Sequence, residues 1–411
     1  MHANIRGFML DTPNNEITKR QGMLLLIVTV GGHALKHAFN AAFAVMLPSI
    51  KSDLILNNTQ IGILSTFRGI AGGIANIPAG IIGDRFIKRR AEILGGSIML
   101  VSVFAFTLGV STNFWMAVLA ASLFSIAITF WHPAAISSLS KEFSSRRGFA
   151  IALHGTGGSI GETIGPILAG SLMSVVSWRI VFQGSIVPGL LFGIIIWSLL
   201  RTIPASQPSA SITGYVKSVL RILRNTKLLL VLIFAGGFVG GQTTVLTFLP
   251  IYLSEEMDAN TATIGIYLAL AQVGGIASQP IMGFASDKFG RKFILTPSLC
   301  LLGLCFIGIS IVPSGFPLGL VVLLMGAFLF PLMAILLAAA LDLVGGETQA
   351  ATVSLVFGSA TIVSSFTPTV AGKIADYYTN TQPAFLLAAG LILSTALLAG
   401  LTNWQSKSHE S

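Results

Sequence analysis

The sequence predicts an all-α membrane protein, with twelve transmembrane helices arranged as two pseudo-symmetric six-helix bundles. Three observations carry that expectation. The first is composition. Hydrophobic residues make up 53% of the 411 residues and charged residues only 9%, with a mean hydropathy of +0.83. An ordinary soluble chain carries roughly 25% charged residues. The second is span length: apolar stretches of about 20 residues, enough to cross the hydrocarbon as helices, recur along the chain. The third is a repeat. Residues 80–89 read G-I-I-G-D-R-F-I-K-R and residues 283–292 read G-F-A-S-D-K-F-G-R-K. Each copy ends one apolar segment, opens the next, and sets an acid, Asp84 or Asp287, before a basic cluster. At the same offset, Ile61-Gly62-Ile63 lies opposite Ile264-Gly265-Ile266, and Gly72 opposite Gly275. Duplicated membrane halves with matching hairpins are the layout of a secondary transporter.

Taken in order, residues 1–21 are polar and form an N-terminal segment. The N-terminal bundle, 22–201, holds spans at 22–50, 57–83, 91–111, 114–139, 148–175 and 179–201. Residues 202–226, with Pro204, Pro208, Lys217, Arg221 and Arg224, read as a linker. The C-terminal bundle, 227–404, holds spans at 227–252, 261–285, 292–312, 316–342, 349–372 and 382–404, before a tail at 405–411. The first apolar stretch is too long for a signal-peptide core, so it is expected to be retained. Most of the 24 Lys and Arg fall on one side: the termini, both hairpins, the 140–147 loop and the linker. The other side has Lys51, Arg179 and Lys373. That asymmetry puts the basic side and both termini in the cytoplasm. It also accounts for the net charge of +9 without a nucleic-acid partner, because the bases sit in short loops. Cys300 and Cys305 share one span and read as packing residues, not a disulfide.

These motifs resemble the major facilitator superfamily along nearly the whole chain. Gly80, Asp84, Arg85, Lys88, Arg89 and Arg90 resemble its first-hairpin motif G-x-x-x-D-R-x-G-x-R-R, with Ile87 where the family usually has Gly. The second copy, Gly283, Asp287, Lys288, Gly290 and Arg291, keeps that glycine. The resemblance implies that both hairpins latch one conformation. The physics agrees: a carboxylate at a helix end can cap a facing helix N-terminus and pair with Arg. In the fifth span, Gly161, Gly165, Pro166 and Gly170 resemble the G-x-x-x-G-P-x-x-G-G signature of drug/proton antiporters, with Ala169 replacing one Gly. Small residues of this kind let helix backbones approach closely. The family's fourth-span arginine has no counterpart between Leu123 and Ala135. Within the superfamily, His132-Pro133-Ala134, Arg146-Arg147-Gly148 and Gly157-Gly158 leading to Gly165-Pro166 resemble fosmidomycin-resistance-type efflux proteins. The resemblance implies a bacterial inner membrane and a monomer.

Ionisable side chains at membrane depth are expensive and mark function. Here they concentrate in the N-terminal half. His33, Lys36, His37 and Asn40 form one polar stripe, within roughly a 100° arc of the first span. Arg68 is central in the second span and Glu162 in the fifth, with His132 and His154 at similar depth on the fourth and fifth. In the family fold this stripe would face the central cavity. At the repeat offset, Arg68 lies opposite Ala271, so the charge is not duplicated. The C-terminal half offers uncharged groups instead, among them Gln242 and Gln272. Two permanent bases against one acid favour an anionic substrate, with Arg68 able to grip a carboxylate or phosphonate bidentately. Glu162, with Lys36, is the candidate for carrying a coupling proton.

The expected function is secondary active transport of a small anionic compound by proton-coupled efflux, with ion-coupled uptake of an organic or phosphorylated anion as the alternative. A non-transporting sensor on the same scaffold is a third reading. Partners are the substrate, protons and the bilayer. No enzymatic nucleophile set emerges and no cofactor is implied. His33 and His37 have i, i+4 metal spacing, but lack an evident third ligand and flank Lys36, so no metal site is expected.

Overall fold

In hydrocarbon every backbone N–H and C=O must find its partner within the chain, which leaves the helix as the spanning element. The computed structural model describes residues 18–143, 146–204, 224–344 and 349–404, and among these no strand occurs. The N-terminal half runs through Lys19–Asp53, Asn58–Arg85, Arg90–Gly109, Phe114–Thr129 continued by Trp131–Glu142, Arg147–Met173, and Trp178–Gly184 continued by Ile186–Leu200. The C-terminal half runs through Thr226–Glu255, Thr261–Phe289, Arg291–Ile311, Phe316–Leu341, Gln349–Ser364 continued by Thr367–Tyr378, and Gln382–Leu401. We number these as the first to twelfth spans. Their bounds fall within a few residues of those read from hydropathy. Most of the linker, 205–223, lies outside the described residues.

The short loops supply the helix starts. Thr18 with Gln21 and Asn57 with Gln60 form reciprocal capping boxes, and Asn113, Ser177, Asn225 and Asn260 cap four further spans. Among the described residues, ten spans are long and apolar enough to cross a membrane. The second and fifth spans are long enough but more polar and glycine-rich. Both lie at the seam between the halves.

That seam is built symmetrically from the sequence repeat. Gly62 of the second span sits on the backbone of Pro368 and Thr369 in the eleventh. Gly265 of the eighth span sits in the matching way on Pro166 and Ile167 in the fifth. Gly372 faces Asn58 and Thr59, and Gly170 faces Thr261 and Ala262. A β-carbon at any of these four would overlap backbone of the other half, which is why the repeat carries glycine there. Polar groups reinforce the contact. The Asp376 carboxylate accepts the Asn58 and Thr59 backbone N–H groups, each at 2.8 Å, and the Thr59 hydroxyl at 2.6 Å. An anion from the eleventh span thus caps the N-terminus of the second, with the helix dipole in its favour. Lys51 pairs with Glu255 across the halves at 2.6 Å.

All of these contacts lie toward the face away from the chain termini. At the basic face, Gly80 and Gly283 look onto open space. The hairpins there are braced within their own halves. Arg90 pairs with Glu142 at 2.9 Å and donates to the Pro204 carbonyl at 2.6 Å. Arg291 pairs with Asp287, and with Asp342 at 3.0 Å. The Asp84 side chain lies outside the described residues. Gly290 takes a φ of 96°, which favours glycine. Where Ile87 replaces that glycine, the chain instead makes a 3-10 turn, Ile87–Arg89, with Ile87 buried.

Two outcomes follow from the seam. Overpacking costs about 1–3 kcal/mol, roughly tenfold in a conformational equilibrium. Gly62→Val and Gly372→Val should each raise labelling of a cysteine placed at Ser65, in a cysteine-free background, and slow flux. Gly96→Val, which meets nothing, should leave labelling unchanged. Asp376→Asn should shift the halves in the same direction, seen as a longer distance between spin labels placed across the seam.

Candidate functional site

Between the halves lies a cavity of about 450 Å³. The first span gives it Asn40 and Phe43, the second Ser65 and Arg68, and the fifth Glu162 and Pro166. The C-terminal half contributes Gln242, Thr243 and Thr247 from the seventh span, Gln272 from the eighth, and Ser364 and Ser365 from the eleventh. Among the described residues, its only charged wall groups are Arg68 and Glu162.

Arg68 is held from below by aromatic faces. Its guanidinium carbon lies 4.5 Å from the Phe43 ring centre and 5.9 Å from that of Phe124. Both rings are buried, so the cation–π attraction acts in a low-dielectric setting. One Nη donates to Asn40, while Nε is buried with no protein acceptor. A guanidinium has five N–H donors and cannot discharge by deprotonation. Among the described residues no carboxylate pairs with it. The opposite half carries no charge at the equivalent position. Ala271, at the equivalent position, is crossed by Gly326 of the tenth span so closely that a β-carbon on Gly326 would strike its backbone. Ala271 also lines the cavity, so the wall is uncharged at that place.

Glu162 is already engaged. Its Oε1 lies 2.7 Å from His37 Nδ1, and Gln272 of the other half is within hydrogen-bonding reach. Lys36, beside His37, is 1% exposed. His33, His132 and His154 gather next to it. The His33 and His154 rings stack at 3.9 Å, and His33 lies 4.7 Å from His132 and 4.5 Å from His37. The structure therefore splits the residues chosen from sequence into two groups. Asn40, Arg68, Glu162, Gln242 and Gln272 line the cavity. His33, Lys36, His37, His132 and His154 form a cluster behind Glu162 and are not among the cavity walls.

Glycine places this cluster. Gly157, Gly161 and Gly165 ride on the carbonyls of Val30, Ala34 and Ala38, pressing the fifth span onto the first. Gly158 leaves space for the His33 and His37 rings, and Gly32 for the Trp131 ring, which brings His132 beside His33. Phe43 and Phe124 were not singled out from sequence, because a phenylalanine in a membrane span carries no distinguishing signal.

The seam, the central cavity and the pseudo-symmetric halves define an alternating-access membrane transporter. The chain belongs to the Major Facilitator Superfamily, whose model matches residues 29–330 and 239–410. It is a multi-pass secondary transporter and not an enzyme. It is 25% identical over 289 residues to a cis,cis-muconate transport protein of Acinetobacter baylyi, covering 64% of this chain and 69% of that one. It is 23% identical over 368 residues to a fosmidomycin resistance protein of Escherichia coli, covering 88% of each. Its fold superposes on a bacterial homologue of the human lysosomal transporter Spinster, solved inward-facing and unoccupied, with a TM-score of 0.80. That match is 15% identical and covers 94% of this chain and 97% of the other.

If the unpaired guanidinium is the substrate's counter-charge, Arg68→Met should abolish saturable anion transport. Arg68→Lys, which keeps the charge but loses the fork, should weaken binding at least tenfold. Radiolabelled uptake into proteoliposomes measures both.

Proposed function

We propose that the chain moves a small organic anion, a carboxylate being the best fit, in a proton-coupled cycle across a bacterial inner membrane. The observation that carries this reading is Arg68, a buried cation that lines the cavity with no carboxylate partner among the described residues. The anion fills the vacant donors, with Asn40 on one side and the uncharged Gln242 and Gln272 orienting the rest. A relative named for transport of cis,cis-muconate, an organic acid anion, is consistent with that chemistry. With the basic face and both termini in the cytoplasm, the closed seam lies outside and the cavity opens inward. The chain acts as a monomer.

Coupling runs through Glu162. Its carboxylate sits in the cavity wall, bound to His37 of its own half and within reach of Gln272 of the other. Protonation would release His37 and change the charge that Arg68 and Lys36 meet. Export in exchange for protons is the first reading, supported by the Gly161 to Gly170 run of the fifth span. Uptake of the same anion together with a proton is the second. It is favoured by the cavity holding one cation and one acid, since a proton on Glu162 and an anion on Arg68 can load together without net charge. In proteoliposomes with an imposed pH gradient, the sign of the gradient that drives accumulation separates the two. In either direction, Glu162→Gln should retain exchange of labelled for unlabelled substrate but lose accumulation against a gradient. Accumulation by Glu162→Gln equal to that of the native chain would remove Glu162 from the coupling role.

A further inference from the structure

The histidine cluster has a geometry that proton coupling does not require. His33 comes from the first span, His132 from the fourth, immediately after its interruption at Phe130, and His154 from the fifth. One ring nitrogen from each lies within 4.8 Å of the other two. His33 Nδ1 is 2.6 Å from the His154 backbone carbonyl. A carbonyl only accepts, so His33 carries its proton on Nδ1 and presents the Nε2 lone pair. That Nε2 is buried, and no protein group donates to it. Neither ring nitrogen of His154, a residue 2% exposed, makes a hydrogen bond of good geometry, although the Thr29 backbone lies close by. An imidazole whose N–H is tied to a backbone carbonyl, with its other nitrogen buried and unpartnered in a cluster of histidines, has the elements of a metal ligand with its orienting outer contact.

We propose that His33, His132 and His154 form a binding site for one divalent transition-metal ion, of the class that prefers imidazole nitrogen: Zn²⁺, Co²⁺ or Ni²⁺. The spacing in sequence pointed elsewhere, to His33 with His37. In the fold, His37 is held by Glu162, and the partners of His33 are His132 of the fourth span and His154 of the fifth. The three ligands are already positioned by tight packing, since Gly158 lies against His33, and Gly32 against the Trp131 ring that precedes His132. Bringing three nitrogens now within 4.8 Å of one another onto an ion at about 2.0–2.1 Å requires the His154 ring to turn out of its parallel stack on His33, because a ring nitrogen's lone pair lies in the ring plane. The site opposes one local charge. Lys36 is one turn from His33 on the same span, and its ammonium repels a dication. Glu162, beyond His37, partly offsets it. An ion here ties three spans of one half together beside the coupling carboxylate, so its binding inhibits transport. The metal-binding claim itself does not depend on which substrate is carried, or on whether Glu162 couples protons.

The test uses the full chain, purified in lipid nanodiscs through a tag without histidine. Titration with Co²⁺ is followed by its visible absorption, and X-ray absorption of the Zn²⁺ form counts imidazole ligands. The expected result is one ion per chain with a shell of three imidazoles. Binding should weaken at least tenfold in His132→Gln and in His154→Gln, each checked by thermal unfolding for an intact fold. Lys36→Met should bind more tightly than the native chain, an effect that a purely structural role for the histidines would not produce. No Co²⁺ binding, or fewer than three imidazoles in the Zn²⁺ shell, would overturn the proposal. So would unchanged affinity in both folded glutamine variants, which would place the ion on His2 or His409 at the chain ends. Retained anion transport in Arg68→Met with metal binding intact would remove the anion reading and leave the site standing, so the two ideas fail separately.

Discussion

A permanent cation held inside a membrane protein without a carboxylate is the constraint around which this structure is arranged. Burying an unpaired charge costs several kcal/mol even after relaxation. The chain offsets part of that at Arg68 with two aromatic faces and one amide oxygen. It leaves the remaining donors to whatever enters the cavity. The single acid in the cavity wall does not quench the guanidinium, because His37 already holds Glu162. Separating the one acid from the one cavity-lining base keeps both available, one for a proton and one for an anion.

The second constraint is closeness at the seam. Two rigid halves can rock only if their contact is tight enough to seal yet breaks cleanly. Glycine against backbone meets that need, because it adds dispersion contact over a small area without interlocking side chains. The pairs Gly62–Pro368 and Gly265–Pro166 repeat the same contact about the pseudo-two-fold axis. Asp376 breaks that symmetry. It adds a charge-assisted cap on one side of the seam only, so the two crossings need not part with equal ease. The basic hairpins, by contrast, are braced inside their own halves in this conformation.

Much of this was legible in the chain as text. The repeat predicted the paired halves, and its glycines at 62 and 265 are where those halves touch. The break in the repeat, Arg68 against Ala271, falls at the cavity, which both residues line. Less could be read from helical periodicity. The stripe of His33, Lys36, His37 and Asn40 looked like one cavity face, but only Asn40 lines the cavity. A 100° arc is wide enough to straddle two environments, and the fifth span, pressed close by Gly157, Gly161 and Gly165, claims most of it. The gathering of His132 and His154 onto His33 depends on how three helices cross, which no spacing along one helix encodes. Phe43 and Phe124 gain their role only from the cation placed above them.

The central claim is that Arg68 is the counter-charge of the transported molecule. The most direct measurement is a structure of the chain with a transported carboxylate bound in the cavity. The account predicts carboxylate oxygens within hydrogen-bond distance of the Arg68 guanidinium, next to Asn40. A carboxylate bound away from Arg68, or an uncharged substrate filling the cavity while the guanidinium keeps its present contacts, would contradict it.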